Sequence, residues 1–412
     1  MTTTLRRPAT VAALCLPLAL LTACGSSPSG GGSGSGDGPL TLTALDYFTD
    51  EPSHSNTEER LNACAAEVDA VVDHESVPSP QYNARVLQQI STQELPDVLM
   101  VNNPDLPEFA TTGALTPLTD LDVDTSGTLP SVLGAGEYED ELYGLAPTVN
   151  TLVLFYDQTL LDEAGVAVPT TWTELEEAAA ALTTPDRYGL AYSAASGTEG
   201  TWTFVPFLWS NGGSMLDLTA PEAVEALDFY TGLARDGYVS ASAVNWSQAD
   251  AKDQFAAGEA AMMINGPWQI PSLEETEGLA WASTTIPVPE AGGEGTAPLG
   301  GELWTVPRTD PEREAAAASV VACMSEPDTQ LEMALDDNTV PSSADAAQEL
   351  AEQRPEMASI VETVTGAQSL TNDAGLAWPD VNAALSQAIQ EAITGQSDVE
   401  AALASAQARV DG

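Results

Sequence analysis

Residues 255–268 read FAAGEAAMMINGPW, and a short apolar run inside this stretch stops abruptly at a turn. Residues 260–264 are continuously apolar, which predicts a buried strand. An Asn-Gly-Pro sequence follows at once and ends the strand, because Gly and Pro are the strongest local breakers of regular structure. Trp268 comes next, so its indole is expected just beyond the tip of a buried strand.

Other short apolar runs alternate with helical patterns along the rest of the chain. Residues 40–45 and 98–101 are predicted strands. Helices are predicted to begin at Asn56, Thr171 and Thr219, since each of these capping residues is followed three positions later by Glu. This alternation is typical of α/β sheets covered by helices.

Two stretches are predicted to pass between two bodies, the first as a strand or connector rather than a helix and the second as a connector. Residues 143–156 are extended and apolar but contain Pro147, which disfavours a helix. Residues 284–301 are rich in glycine. From residue 39 onward the chain is long enough for two cores, so two lobes that each use separated pieces of chain are predicted.

The first residues have the pattern of an export signal, with Arg6 and Arg7 before a short apolar stretch. The sequence Leu-Thr-Ala-Cys that ends at Cys24 resembles the bacterial lipobox, in which the cysteine is lipidated and the leader is cut just before it. We therefore predict a signal peptide over residues 1–23, and an ordinary secretory signal cleaved nearby is the alternative. Residues 24–38 are rich in Gly and Ser after the cysteine and are predicted to form a flexible linker, because they cannot bury apolar surface.

The charge balance is strongly acidic, with a formal net charge of −51. Removal of the leader takes away two arginines and leaves 62 acidic against 9 basic residues, a net charge of −53. Such a surface repels nucleic acids and anionic lipid headgroups, so nucleic-acid binding is excluded. A role of the acidity in solubility is favoured over attraction of a cationic ligand. After the leader no apolar run reaches membrane-spanning length, so a role in transport requires partner subunits.

Two of the four cysteines remain once Cys15 leaves with the leader and Cys24 is lipidated. Cys64 and Cys323 each fall on the apolar face of a predicted helix, so both are expected to be buried. One disulfide and two separate buried thiols are both consistent with this pattern. No metal site is predicted, because the two histidines of the chain lack the spacing of metal ligands.

The stretch 255–268 resembles, almost residue for residue, the pattern F-x-x-G-x-A-A-M-x-x-x-G-x-W of the family 1 extracellular solute-binding proteins, a group that includes the maltose-binding proteins. Further segments are similar to the family in the same order along the chain: residues 151–157, 164–175, 298–304, 311–324, 340–341 and 393–410. The resemblance covers nearly the whole chain after the leader.

The resemblance implies an α/β fold with two lobes, of the type II periplasmic-binding-protein kind, with a hinge and a central ligand cleft. It places residues 39–147 and 286–351 in an N-terminal lobe, and residues 148–285 and 352–412 in a C-terminal lobe. The two buried cysteines then belong to the same lobe, so a disulfide between them would leave the hinge free.

The resemblance also implies a substrate-binding lipoprotein of an ABC importer, which captures a neutral carbohydrate and delivers it to the transmembrane permease subunits. A di- or oligosaccharide is the expected solute. The protein is expected to be a monomer without cofactor or catalytic residues, held by its lipid at the outer face of the cytoplasmic membrane. Two alternatives stay open: a binding protein for a polyamine or another cationic solute, and a secreted glycosidase.

A sugar presents C–H patches that stack on aromatic faces and hydroxyls that need hydrogen bonds. Trp268 stands where the family places a sugar-stacking tryptophan. Trp202, in a predicted loop over residues 200–204, matches a second stacking aromatic, whereas Trp209 is predicted to be core. The other candidate ligand-binding residues are Asn103, Asp105, Asn150, Gly301, Glu302, Tyr47 and Trp378. Residues 101–106 lack the tryptophan and the charged pair that maltose-binding proteins carry after the matching strand, so maltose itself is not implied.

Overall fold

The computed structural model describes residues 39–49 and 51–412. The predicted signal peptide over residues 1–23, the predicted lipid site at Cys24 and the predicted linker over residues 24–38 lie outside the described residues. None of the helices in the described part of the chain is both long and apolar enough to cross a membrane.

Strands and helices alternate along the described chain, with short 3-10 turns between several of them. The strands are β1 (Leu40–Asp46), β2 (Ala70–Ser76), β3 (Val98–Asn102), β4 (Leu115–Thr116), β5 (Glu137–Tyr138), β6 (Glu141–Leu142), β7 (Gly144–Leu145), β8 (Thr148–Val149), β9 (Val153–Asp157), β10 (Tyr188–Ala191), β11 (Ala260–Asn265), β12 (Trp281–Thr284), β13 (Glu302–Pro307) and β14 (Val340–Pro341). The α-helices are α1 (Ser53–Ala66), α2 (Ser79–Thr92), α3 (Leu106–Ala110), α4 (Pro130–Gly136), α5 (Gln158–Ala164), α6 (Trp172–Leu182), α7 (Thr198–Ser210), α8 (Pro221–Arg235), α9 (Gln248–Ala256), α10 (Ile270–Glu274), α11 (Pro311–Met324), α12 (Pro327–Asp337), α13 (Ala344–Gln353), α14 (Ala358–Thr365), α15 (Leu370–Ala374), α16 (Trp378–Thr394) and α17 (Val399–Val410).

Two main sheets organise the chain. The first has the order β2-β1-β3-β13-β4, and β7 also pairs with β13. Strands β1, β2 and β3 are parallel, whereas β13 runs antiparallel to β3, β4 and β7. The second has the order β10-β11-β9-β12, in which β10 and β11 are parallel and β9 is antiparallel to both of its neighbours. The carboxyl ends of β1 and β3 and the amino end of β13 therefore share one edge of the first sheet.

The strands predicted at residues 40–45, 98–101 and 260–264 are confirmed as β1, β3 and β11. Each of them has a neighbouring strand on both sides, and the side chains of β3 and β11 are almost all buried. Burial of this kind explains why apolar residues dominate these segments and make them recognisable.

Buried apolar side chains form two large clusters, and the second sheet lies between them. Its side chains alternate, because Phe155 and Met263 belong to the first cluster while Leu154 and Met262 belong to the second. The first cluster also includes the buried side chains of the first sheet. The second cluster includes buried side chains from α6, α7, α8 and α16. Each sheet is therefore covered by packed layers, as an α/β fold requires.

The chain passes from the first cluster to the second just after α14. Met357, Ile360 and Val364 belong to the first cluster, and Leu370 belongs to the second. Helix α14 packs against β9 and β12 of the second sheet as well as against α13. The lobe boundaries expected from the sequence stay a prediction.

Local sequence signals account for some helix starts and not for others. Thr171 forms the predicted capping box with Glu174 at the start of α6. The start predicted at Asn56 is wrong, because α1 begins earlier and the Asn56 amide already donates to the carbonyl four residues before it. The start predicted at Thr219 is also wrong, since α8 begins at Pro221, whose missing N–H needs no cap.

A disulfide joins α1 to α11 beside the first sheet. Cys64 and Cys323 form this bond, with their Cα atoms 5.6 Å apart. Both cysteines are buried, as their places on apolar helix faces predict. Of the two alternatives that the sequence leaves open, the structure contains the bridge.

Candidate functional site

The two connectors meet side by side near the edge where β13 begins. The Asn150 amide donates to the Gly300 carbonyl at 3.0 Å, and the Gly300 amide donates to the Asn150 carbonyl at 2.8 Å. The Thr151 hydroxyl adds a bond to the Pro298 carbonyl at 2.8 Å. These bonds hold the backbone of Asn150 beside the segment that leads into β13.

Trp202 reaches this junction from α7. A Cβ atom on Gly300 would lie 2.1 Å from Asn150 Oδ1 and 3.1 Å from Cη2 of Trp202. A side chain at this position would have to displace the Asn150 amide and would crowd the Trp202 indole. The amide of Asn150 and one end of the Trp202 ring consequently flank the same piece of connector.

The loop predicted over residues 200–204 is wrong. Trp202 lies inside α7, a helix whose middle is buried on every side. A glycine and a proline in the segment suggest a loop, but burial favours a backbone that satisfies its own hydrogen bonds. Trp209, predicted to be core, is buried near the end of the same helix and donates through Nε1 to Asp373 Oδ2 at 2.8 Å.

Asn103 fastens the end of β3 to the same connector. Its Nδ2 donates to the Leu299 carbonyl at 2.9 Å, and its Oδ1 accepts from the Ser369 hydroxyl at 3.1 Å. Its backbone amide donates to the carbonyl of Gly301 at 3.4 Å. Because this buried side chain is bonded at both ends of its amide, it positions the connector in the structure.

Two carboxyl groups lie along this edge of the first sheet. Tyr47 donates its hydroxyl to Glu302 Oε1 at 2.7 Å. Burial raises the pKa of the Glu302 carboxyl above its usual value, and the hydrogen bond from Tyr47 opposes that rise. Burial also raises the pKa of Asp105, while hydrogen bonds from Asn83 and Asn102 lower it. Asn102 pairs with Glu302 in the sheet register, so both acids belong to one edge, where burial disfavours their charged forms.

Replacing Glu302 by Gln is expected to raise the free energy of unfolding at neutral pH by about 1 kcal/mol, because the amide keeps an acceptor for Tyr47 without burying a charge. Because the pKa of Glu302 is raised in the folded protein, its charged carboxyl group lowers the stability, and removing the charge should raise it. Between the unfolded and folded pKa values the folded state binds more protons, so stability falls as pH rises through that window. Below the ordinary glutamate pKa of about 4.3 the variant should therefore gain nothing.

Urea unfolding at neutral pH and at a pH below that ordinary value measures the effect of Glu302→Gln. The exposed Glu277→Gln is the matched control, because it removes the same charge from the surface. An equal gain for Glu302→Gln at both pH values would contradict the prediction.

Trp268 is held on the turn that follows β11. A Cβ atom on Gly266 would lie 2.1 Å from Cη2 and Cζ3 of the Trp268 ring, so the indole is folded back against the turn. Buried Asn265 secures this turn, since its Oδ1 accepts from the Gly266 amide at 3.0 Å and from Gln269 Nε2 at 3.3 Å. Its Nδ2 donates to the Gln248 carbonyl at 2.8 Å. The Trp268 side chain is nevertheless 36% exposed, so part of a fixed ring remains open to a ligand.

The structure links most of the predicted site residues through the connectors and the adjoining sheet edge. The linked residues are Tyr47, Asn103, Asp105, Asn150, Trp202, Gly301 and Glu302. Trp268 lies on a different element, at the tip of β11, and Trp378 is buried in the second cluster at the start of α16. Sequence reasoning missed Asn265 as a support of Trp268, although its place between an apolar run and Gly-Pro was a usable signal. The ligand-binding roles of all these residues stay predictions.

A second polar cluster lies at the carboxyl ends of β1 and β2. Asp46 accepts from His74 Nε2 at 2.8 Å and from the Ser76 hydroxyl at 2.6 Å. His54 Nδ1 pairs with the Ser76 oxygen at 2.9 Å, and its ring stacks on His74 at 4.9 Å. Within residues 39–49 and 51–412, no group of three or more His, Cys, Asp or Glu side chains could hold a metal ion. The Phe48 amide also donates to Asp46 Oδ1 at 3.0 Å, so these bonds join the residues just after β1 to the end of β2.

A cavity of about 560 Å³ lies between the glycine-rich connector, α7 and α14. Its lining includes Pro206, Ile286, Gly295 and Thr363. The predicted ligand-binding residues are not among those that line it, so it is distinct from the arrangement around Asn150.

A sequence model of the family described as bacterial extracellular solute-binding protein matches residues 59–359, which is most of the chain. The chain belongs to this family. The resemblance that the sequence motifs indicate is thereby confirmed.

Relatives of this solute-binding protein differ in how much of it they match. A protein of Brucella abortus (strain 2308), described as a binding protein, is 26% identical over 177 residues, which are 40% of this chain and 42% of that relative. The chain thus spans less than half the length of that curated relative. A maltooligosaccharide ABC transporter solute-binding lipoprotein of Streptococcus pneumoniae is 23% identical over 331 residues, 76% of this chain and 75% of the relative.

Solved structures establish the fold of the solute-binding protein. The crystal structure of the cyclic alpha-maltosyl-1,6-maltose binding protein from Arthrobacter globiformis matches with a TM-score of 0.80 and 22% identity, over 91% of this chain and 98% of that one. The predicted fold class, two α/β lobes of the periplasmic-binding-protein kind, is confirmed.

Proposed function

We propose that this solute-binding protein captures a neutral di- or oligosaccharide between its two lobes and delivers it to the transmembrane permease of an ABC importer. The observation that carries the proposal is the indole of Trp268, which is fixed against its turn and still 36% exposed. A rigid, partly open aromatic face suits the C–H patches of a sugar ring, because such a ring loses little freedom when it stacks.

The connectors supply the polar half of the proposed site. Asn150, Asp105 and Glu302 offer amide and carboxyl groups that can bond to sugar hydroxyls. Gly300 and Gly301 bring the backbone close to the same place. A solute that touches groups from both lobes binds the closed form better than the open form, so binding shifts the population toward closure.

The relatives support a sugar as the solute. One is described as a maltooligosaccharide-transporter lipoprotein, and one solved structure is described as binding a cyclic maltosyl-maltose. We therefore propose linear or cyclic maltooligosaccharides as the first candidates for this chain. The tryptophan and charged pair of the maltose-binding proteins are absent from residues 101–106, so maltose itself is not implied.

The proposal includes the location of the protein. Lipidation of Cys24 would hold a monomer at the outer face of the cytoplasmic membrane, and residues 24–38 would give it freedom to turn toward the permease. The leader and the composition of residues 24–38 support this placement.

A cationic solute is disfavoured because the two acids near the proposed site are buried. Burial raises the pKa of both Glu302 and Asp105, which weakens their attraction for a cation. A glycosidase would need two carboxyl groups in distinct roles around one bond. The role proposed here is binding, in keeping with the family.

A thermal-shift and calorimetry panel tests the proposed function. The probes are maltose, maltotriose, maltotetraose, α-cyclodextrin and spermidine. A true ligand at about 100 times its dissociation constant should stabilise the folded protein by about 2.7 kcal/mol through mass action. We expect this effect with maltotetraose and none with spermidine. Stabilisation by spermidine alone, or release of shorter sugars from maltotetraose, would overturn the proposal.

A further inference from the structure

The two parts of the proposed site lie on different elements of the fold. Trp268 follows the tip of β11, whereas Asn150 and Gly300 belong to the two connectors. One solute can stack on the ring and bond to the connectors only if these parts are held at a fixed distance, because a loosely held site loses affinity. Helix α7 is linked to both parts.

The middle of α7 reaches the connectors. A Cβ atom on Gly300 would lie 3.1 Å from Cη2 of Trp202, so the end of this ring lies close to the glycine-rich connector. Residues 200–209 of α7 are all buried, and the helix packs against α8 and α16. The helix is therefore a firmly held support beside the polar part of the proposed site.

The first turn of α7 is linked to β11 by a series of hydrogen bonds. Glu199 Oε2 accepts from the main-chain amide of Gln248 at 2.8 Å. Gln248 is the first residue of α9, so this N–H has no partner within its own helix. The carbonyl of Gln248 accepts from Asn265 Nδ2 at 2.8 Å. The two main-chain groups of one residue thus join α7 to the end of β11.

The last bonds of the series reach the turn that carries Trp268. Asn265 is fully buried, and its Oδ1 accepts from the Gly266 amide at 3.0 Å. A Cβ atom on Gly266 would lie 2.1 Å from the Trp268 ring, so the indole rests on this glycine. The series therefore runs from the carboxyl group of Glu199 to the backbone that supports the exposed indole.

We propose that Glu199 is a positioning residue, which holds the Trp268 indole at a fixed place relative to α7 and the connectors through Gln248 and Asn265. This inference rests on the proposed function and deepens it, because the distance between the ring and the connectors then determines which oligosaccharides fit. The competing explanation is that Glu199 only stabilises the start of α9, where a carboxylate is favourable. That explanation is an outcome of the test.

A spectroscopic test reports the position of the ring without any solute. The chain has eight tryptophans, and labelling with 5-fluorotryptophan gives each of them a fluorine NMR signal. The signal that disappears in Trp268→Phe belongs to Trp268. Glu199→Ala should shift or broaden this signal, whereas Glu199→Gln, which keeps an acceptor oxygen, should leave it near its wild-type position. An unchanged Trp268 signal in Glu199→Ala overturns the inference.

Calorimetry with maltotetraose tests the effect on binding. Affinity should fall about threefold to tenfold in Glu199→Ala and should be largely restored in Glu199→Gln. In a Trp268→Ala background, Glu199→Ala should change affinity by less than about twofold, because the ring that it positions is absent. An equal loss in both backgrounds would mean that Glu199 contacts the sugar directly or acts elsewhere, and it would overturn the inference.

Glu174→Ala is the matched control. Glu174 is also exposed, and its carboxyl group accepts from the Thr170 amide at 2.8 Å beside the start of α6. Its removal takes away one charge and one helix-capping group, so the melting temperature of the ligand-free protein should fall. The Trp268 signal and the affinity for maltotetraose should stay unchanged. Equal effects of Glu174→Ala and Glu199→Ala on both readouts would indicate a general loss of stability and overturn the inference.

The outcomes distinguish this inference from the proposed function. If the wild type binds maltotetraose and Glu199→Ala binds it equally well, Glu199 serves only the start of α9, and the inference is overturned while the proposed function stands. If the wild type binds none of the sugars in the panel, the proposed function fails, and the Trp268 signal still decides whether Glu199 positions the ring.

Discussion

Replacement of both Cys64 and Cys323 by Ala is expected to lower the free energy of unfolding by about 2 to 5 kcal/mol. The bond closes a loop across a sequence separation of 259 residues, so its loss frees a large part of the unfolded chain. Urea denaturation of the oxidised wild type and the double variant, followed by tryptophan fluorescence and circular dichroism together, measures the change. Agreement of the two signals is required, because two lobes can unfold in separate steps.

Reduced wild-type protein is the control for this substitution. It lacks the bond but keeps both sulfur-bearing side chains, so its difference from the double variant reports the truncation of two buried residues alone. Affinity for the solute should be unchanged in the double variant, because α1 and α11 pack against each other and against the first sheet and carry none of the predicted ligand-binding residues. A loss of stability below about 1 kcal/mol would show that the cross-link is not a main support of this part of the fold.

The parts of the fold that the sequence predicts are those set by neighbours in the chain. Strands β3 and β11 are short apolar runs that end at polar or Gly-Pro residues, and both are inner strands of their sheets. Thr171 and Glu174 lie three residues apart and form their capping box without help from the rest of the molecule. Local chemistry decides such features, so local sequence is sufficient to find them.

Helix α7 is a part of the fold that its local sequence does not predict. Residues 200–204 are rich in aromatic residues and are predicted to form a loop. In the fold the segment is buried between α8 and α16, and a buried backbone is best satisfied by its own helical hydrogen bonds. The burial comes from helices that are distant in sequence, so no local signal announces it.

The candidate site depends on contacts between residues that are far apart in the sequence. Tyr47 and Glu302 are bonded across a separation of 255 residues. Asn103 reaches the Leu299 carbonyl and the Ser369 hydroxyl across separations of 196 and 266 residues. Residue type can nominate an asparagine or a tyrosine, but its hydrogen-bond partner is a property of the packed structure. The sequence therefore supplies a set of candidates, and the fold decides which of them face one another.

Replacement of Trp268 by Ala is expected to weaken binding of maltotetraose by about 2 to 4 kcal/mol, the range for a central aromatic anchor. The indole is fixed on the turn after β11, so its stacking surface is organised before the solute arrives. Stability is expected to fall as well, because a side chain that is 36% exposed still buries most of its apolar surface against the turn. Titration calorimetry measures the affinity, and thermal melting of the ligand-free variant measures the stability.

Tyr188→Ala is the control that matches Trp268→Ala in exposure and differs in position. Tyr188 is also 36% exposed, and it stands at the start of β10, paired in register with Ala260 at the start of β11. It therefore lies at the opposite edge of the second sheet from Trp268, and its removal should leave affinity unchanged. Trp268→Phe should retain part of the binding energy, since a smaller ring still offers a face for stacking. If Trp268→Ala and Tyr188→Ala bind maltotetraose equally well, the exposed indole at the tip of β11 does not contact the sugar. The sugar would then have to be bound without Trp268, by residues of the connectors such as Asn150.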